Sequence, residues 1–536
     1  MAQNIRELIT LQIGHHANFV GTHWWNLQRQ ETYTPRLLCI DTKGSLHSLP
    51  AHGSLYNPIQ PDHSTSEASW DGPVELIQQL PEEKNEYLMD LEQEDARFLG
   101  PADEDKDICI DDSSISNKVP DFHLAPSQKI YDLTKSVKVW SDFLRPHFHP
   151  TSIYLLDDTL VKSARTSGNT DETIWGFPLG SALFQREEVE DEITDRIRRL
   201  AESCNSLQGF QILSDIHDGM GGVCYGVLQH LADEYGSKDS ITFATTPSQL
   251  SPSYTELSKL SSVFVPLSLR KSCWDFQAPS TTFSNLTLEE NNPYITSSVM
   301  AAFVDTASLV YRSRTSPLPL SYVVDMLSPG GRNVAAGSVA LPLGLRFDQA
   351  MLEWLQQGHK PNLVSLSAGC DYTVAPISEI RVIRGVPSSR LVRPDTKLPP
   401  GVHYTTASQL YNEFLQESHT PPSMRMVTGV QDPLKLNPPF PSIFSGTFTE
   451  DGYANNVATT NIKSAPCAAG LHQGAGIGHL LQHLVTAAEK LDVTKVPSLV
   501  EEGLDKDGWS GVVEDLRNIT RNYCINNIEI DSSDND

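Results

Sequence analysis

Residues 5–41 read IRELITLQIGHHANFVGTHWWNLQRQETYTPRLLCID, and the fold is decided there. Apolar residues at Leu8, Ile9, Leu11 and Ile13 suit a strand over 5–13. Gly14 follows as a turn residue. Ala17, Val20, Trp24 and Leu27 then fall at steps of 3, 4 and 3, one face of a helix. A second strand over 33–41 has Leu37, Leu38, Cys39 and Ile40 as its buried run. Strand, glycine turn, helix and strand open a βαβ unit.

The alternation continues downstream. A short helix over 137–144 holds Trp140, and 152–156 is strand-like. Val189, Ile193, Ile197, Leu200 and Cys204 step by 4, 4, 3 and 4, which predicts a helix over 187–204. Glu192–Arg196 and Asp195–Arg199 are favourable pairs on it. A strand over 210–214, a glycine-rich turn at Gly219, Gly221 and Gly222, a helix over 227–235 and a strand over 240–244 follow. Next come a helix over 253–262, a strand over 263–269 and a long apolar helix over 294–312, expected at the middle of the molecule. Beyond it, 322–327 and 407–416 read as helices, and 334–343, 379–383 and 423–428 as strands. Residues 433–441 hold four prolines and read as a linker, and 472–491 and 496–523 as C-terminal helical stretches. Strands alternating with helices predict a mostly parallel α/β sheet.

Composition narrows the function. The 536 residues suggest about three or four domains or fewer large ones. With 39% hydrophobic and 20% charged residues the chain is globular in class. Forty Lys and Arg against 67 Asp and Glu give −27, a field that repels phosphate backbones, so no nucleic-acid partner is expected. Between 66 and 125, 17 acidic and 4 basic residues predict an acidic, partly disordered insertion, with apolar islands at 74–80 and 87–91 as helical turns that dock. No run of 18 apolar residues is present, so no spanning helix is expected. The first twenty residues resemble neither a secretory signal nor an Arg-rich presequence, which makes the cytosol the default compartment. Eight cysteines without C-x-x-C make no disulfide framework.

The common catalytic signatures G-x-x-x-x-G-K-[ST], G-x-S-x-G and H-E-x-x-H are missing, and no catalytic residue is assigned. His15–His16 and the pair His147 and His149 lack ligand-spaced partners and read as structural or exposed, so no metal site is assigned. Trp24 and Trp25 read as one core and one semi-buried aromatic. Two features could hold phosphate: Gly14 before a helix starting His15–Asn18, and Asp218-Gly219-Met220-Gly221-Gly222 before the helix at Val227. Backbone N–H groups at such turns can face an anion. The competing reading is a pair of tight left-handed turns.

These stretches resemble tubulin. Arg6–Gly14 with Asn18, Gly21, Trp24 and Trp25 keeps the order of the tubulin N-terminus, and Tyr33–Asp41 is similar to its second strand. Asp195–Cys204 with Leu207–Gln211 is similar to the helix and strand before tubulin's phosphate loop. His23-Trp24-Trp25-Asn26, Gln30–Arg36 and Val139–Leu144 resemble, more narrowly, the Misato family of tubulin-like proteins.

The resemblance implies a tubulin-like α/β fold with a Rossmann-like GTPase-type domain over 1–312, interrupted by the insertion at 57–130. It further implies a second mixed α/β domain over 313–464 and C-terminal helices over 465–525, and the composition adds an acidic tail over 526–536. A GTP or GDP site, where retained, would use Gly14, His15, His16, Asn18, Gly219, Gly221 and Gly222. The departures are marked. The phosphate-loop glycines, threonine and serine fall on His217–Val223, Asp218 sets a carboxylate near phosphate, and Asp157-Asp158-Thr159 replaces a further loop. Two unit charges at roughly 4 Å interact by about 1 kcal/mol even in water. Asp325 fits the aspartate of the polymer-contact loop over 322–328, but Val323 and Ser328 replace its asparagine and catalytic glutamate.

No cofactor and no enzymatic activity are therefore expected. The resemblance implies a role in mitochondrial distribution, morphology and fusion, and in spindle assembly, from the cytoplasm and the outer mitochondrial surface. The implied partners are mitochondrial-surface fusion machinery, tubulin or a cytosolic chaperonin. A GTP-binding switch and a tubulin-handling factor are the alternatives.

Overall fold

The computed structural model describes residues 7–28, 34–49, 84–99, 129, 131–157, 176–246, 253–269, 283–313, 318–367, 370, 376–398, 403–418, 424–456, 461–493 and 505–523. Most of the 57–130 insertion, the island at 74–80, residues 158–159, 496–504 and the 526–536 tail lie outside them.

Six strands form the first sheet: β1 (Glu7–Ile13), β2 (Leu37–Thr42), β3 (Ile153–Leu156), β4 (Leu207–Asp215), β5 (Asp239–Thr245) and β6 (Val263–Leu267). All pair in parallel, in the order β3-β2-β1-β4-β5-β6. Its helices are α1 (His15–Gln28), α2 (Glu86–Leu99), α3 (Phe177–Phe184), α4 (Glu187–Glu202), α5 (Gly219–Glu234), α6 (Ser253–Leu260) and α7 (Pro293–Arg312). The pairs expected on α4 form at 2.7 Å (Glu192–Arg196) and 2.6 Å (Asp195–Arg199). The 87–91 island lies in α2, where Tyr87 is buried and Tyr131 OH donates to Asp90 at 2.7 Å.

The second half contributes α8 (Leu320–Leu327), β7 (Ala336–Ala340), α9 (Met351–Gln356), β8 (Val364–Ser365), β9 (Ser378–Arg384), α10 (Ala407–Ser418) and β10 (Met424–Val430). It ends with β11 (Leu434–Lys435), β12 (Ser464–Ala465), β13 (Cys467–Gln473), α11 (Gly476–Lys490) and α12 (Lys506–Tyr523). The second sheet is mixed, in the order β10-β9-β13-β7-β8.

Residues Tyr294–Tyr311 of α7 are all buried because the helix lies between the two sheets and against α1. Phe303 meets Phe243 of β5 edge to face at 6.0 Å, and Tyr311 OH donates to Gln211 of β4 at 2.6 Å. On the other side Thr306 lies 3.2 Å from Cys467 Sγ, and Asp305 accepts from Arg384 Nη1 at 2.5 Å. Helix α1, expected to bury one face, is buried on nearly all because α7 covers its far side. Helices α4, α5, α6, α11 and α12 share the core on the opposite face of the first sheet.

Four expectations are corrected. Gly219, Gly221 and Gly222 are not a turn before a helix at Val227: they are the first turn of α5. The helix over 137–144 is only a 3-10 turn, Trp140–Phe143, because the Asp142 carboxylate accepts from Lys138 N (2.8 Å) and Val139 N (3.0 Å). Trp25 is buried along with Trp24, their ring centroids 4.4 Å apart. Residues 467–473, placed with the C-terminal helices, are the middle strand of the second sheet, so the helical region starts at Gly476.

His23 of α1 bonds through Nε2 to Tyr294 O at 2.9 Å, inside an aromatic cage of Phe143, Tyr294 and Phe440. Burial drives its pKa down to about 3. The unfolded chain therefore takes up this proton first on acidification. The stabilisation is complete above about pH 6.5 and is lost as pH falls toward 3. His23→Phe is expected to reduce the loss of unfolding free energy between pH 6.5 and 5 by about 2 kcal/mol, measured by urea titration. An unchanged slope would refute this assignment.

Candidate functional site

In a parallel sheet ordered 3-2-1-4-5-6, ligands bind at the carboxyl ends of the strands where the order reverses, here between β1 and β4. A cavity of about 210 Å³ lies at that point, lined among others by His15, His16, Asp215, His217, Asp218 and Glu290.

Gly14 makes the β1–α1 turn at φ +105°, a conformation costly for any residue with a Cβ. A Cβ there would stand 2.6 Å from Asp215 Oδ2. Asp215, the last residue of β4, accepts from His16 N at 2.8 Å and Ala17 N at 2.9 Å. The Thr245 hydroxyl donates to the same carboxylate. Burial, reinforced by Asp218 and opposed by His217 and these donors, raises the Asp215 pKa to about 6. Asp218 caps α5 by accepting from Met220 N at 2.9 Å, and burial raises its pKa as well.

His15 lies 3.4 Å from Asp41 through Nδ1, and His16 is 3.4 Å from Thr296 through Nε2. Burial opposes protonation of His15, but Asp41, Asp215 and Asp218 outweigh it and raise its pKa. Asp41 also accepts from Trp140 Nε1 at 2.9 Å and Asn18 Nδ2 at 3.0 Å.

Of the residues proposed for nucleotide, His15 and His16 line the cavity and Gly14 makes the turn just before them. Asn18 instead joins α1 to β2, donating to Ile40 O at 3.2 Å and accepting from Cys39 Sγ at 3.1 Å. Gly221 and Gly222 serve close packing, and the backbone of Gly219 lies against Gly180 of α3. A Cβ on Gly180 would stand 1.7 Å from Gly219 O, one on Gly221 2.3 Å from Ser253 Oγ, and one on Gly222 2.1 Å from Phe177 O. None of the three has the left-handed backbone that the turn reading requires. His149 accepts from Thr151 N at 3.2 Å as a helix cap.

The described residues of the cavity do not fit guanine nucleotide, the ligand implied by the tubulin resemblance. Both helix N-termini that would face its phosphates already hold carboxylates of the chain itself. Glu290 adds a third acid, and no lysine or arginine lines the cavity among the described residues. Asp215, Asp41 and Trp140 were not singled out as site residues. The signal for Asp215 was an acid at the end of a buried strand, one residue beyond the expected boundary.

Helix α8, over the segment that the resemblance likens to a polymer-contact loop, lies at the other end of the sheet. Leu320 N donates to Gln208 Oε1 at 3.1 Å, and Gly209 abuts Leu320. Val323 is buried, while Tyr322 and Asp325 are exposed.

Two family models match the chain: a tubulin domain over residues 131–313 and the Misato Segment II tubulin-like domain over 6–31 and 28–93. "Protein misato homolog 1" of Danio rerio is 30% identical over 607 residues, covering 100% of both chains. "Protein misato" of Drosophila melanogaster is 28% identical, over 95% of this chain and 97% of its own. "Protein misato homolog 1" of Homo sapiens is 28% identical, over 98% and 99%.

Proposed function

This chain belongs to the Misato family of tubulin-like proteins, and from that premise we propose that it regulates mitochondrial distribution, morphology and fusion without nucleotide turnover. The same reading extends to spindle microtubule assembly. The protein would act from the cytoplasm and the outer mitochondrial surface as a scaffold for fusion machinery there, or for tubulin or a chaperonin. Among the described residues no helix is long and apolar enough to cross a membrane, which is compatible with peripheral attachment.

The observation supporting a non-enzymatic role is the pair of carboxylates, Asp215 and Asp218, on the two helix N-termini of the switch-point cavity. Protein purified without added nucleotide is expected to release no stoichiometric guanine nucleotide on denaturation. Millimolar GTP with magnesium is expected to leave its melting temperature unchanged. Near-stoichiometric GDP or GTP would instead favour the GTP-switch alternative. The cellular arm is depletion followed by imaging: an altered mitochondrial network, restored by the wild-type chain, is expected, and an unaltered network refutes the mitochondrial role.

A further inference from the structure

We propose that Asp215 is a built-in replacement for a ligand oxyanion: its carboxylate holds the β1–α1 turn, and ties α1 to β4 and β5, where a bound phosphate would otherwise do so. The inference rests on the reading of the cavity as unfit for a nucleotide.

The geometry is that of an anion site filled from within. The two carboxylate oxygens take two successive N–H groups, His16 and Ala17, which have no acceptor inside a helix that starts at His15. A third donor, Thr245, arrives from β5. Gly14 supplies both the positive φ and the empty Cβ position that let the carboxylate approach. A local cap at position 14 would satisfy the helix alone. Asp215 lies 199 positions from His16, so its cap also closes the sheet across the switch point. The turn is thereby held by the chain itself, with no bound anion required.

Removing this carboxylate should leave a cradle of two N–H groups and a hydroxyl beside the cavity, suited to a small oxyanion. The test is thermal unfolding of the full chain at pH 7.5 as wild type, Asp215→Ala and Asp215→Asn. Sodium formate or inorganic phosphate is compared with chloride at matched ionic strength. Asp215→Ala is expected to melt about 2–5 °C below wild type. About 50 mM formate or phosphate should recover at least half of the loss by binding only the folded state, while wild type moves by less than about 1 °C. Asp215→Asn keeps its side chain in the cradle but turns an N–H toward an N–H, so it should melt lower and gain nothing from either anion.

An Asp215→Ala protein as stable as wild type, or one deaf to both anions, overturns the proposal. Should Asp215→Ala fail to fold, an Asp215→Asn protein as stable as wild type overturns it. Guanine nucleotide co-purifying with wild type overturns this inference together with the scaffold reading. A nucleotide-free wild type with an unrescued Asp215→Ala overturns this inference alone.

Discussion

Asp305→Ala is expected to lower the free energy of unfolding by about 3–5 kcal/mol. Asp305 is buried on α7 and accepts from Arg384 Nη1 of β9 at 2.5 Å and from Arg312 two turns further along the same helix. Arg384 itself is 6% exposed and anchors on Asp432 O and Pro433 O, each at 3.2 Å. Deleting the carboxylate takes from that guanidinium its 2.5 Å bond to α7 in the seam between α7 and the second sheet. The penalty is that of breaking a buried charge pair from one side, larger than the pair's own net worth. The double variant Asp305→Ala/Arg384→Met should therefore recover part of the loss. Urea unfolding reads both, and an Asp305→Ala protein within about 1 kcal/mol of wild type would show that the seam does not depend on this pair.

Gly222→Ala carries the second large effect. Its new Cβ would stand 2.1 Å from Phe177 O and 2.4 Å from Ser181 N, both backbone atoms of α3, so no side chain can rotate away. Helix α3 must separate from α5, and overpacking of this kind costs typically about 1–3 kcal/mol and occasionally more. We expect the upper end or beyond. Gly44→Ala is the control, since nothing lies within 4 Å of its added Cβ, and it should stay within about 0.5 kcal/mol of wild type. Equal stability of the two variants would remove the packing role assigned to Gly222. A phosphate-binding role for Gly222 predicts a different pattern, an unaltered fold with lost nucleotide.

These two substitutions mark how far the site was legible in the sequence. Tubulin-like spacing pointed to the turn at Gly14, and His15 and His16 line the cavity beside it. Glycines in a row at Gly219, Gly221 and Gly222 read as phosphate contacts, but glycine is required equally wherever one backbone presses on another. Which of the two applies depends on what packs there: Ser253 against Gly221, and against Gly222 the helix α3, which periodicity did not identify. Strand β13 was missed for a related reason. Its Cys-Ala-Ala-Gly start has little strand propensity, yet small residues suit a central strand packed tightly beneath α7.

By itself the sequence determined the elements whose side-chain period is local. These are β1, α1, β2, the amphipathic α4 with its ion pairs, the buried α7, and the acidic balance that disfavours a nucleic-acid partner. Only the tertiary structure decided what the cavity contains. The Asp215 carboxylate reaches the α1 N-terminus from 199 positions away, and Trp140 reaches Asp41 from 99. Hydrogen bonds of that range leave no periodicity in the chain, because they depend on which strand ends the sheet order brings together.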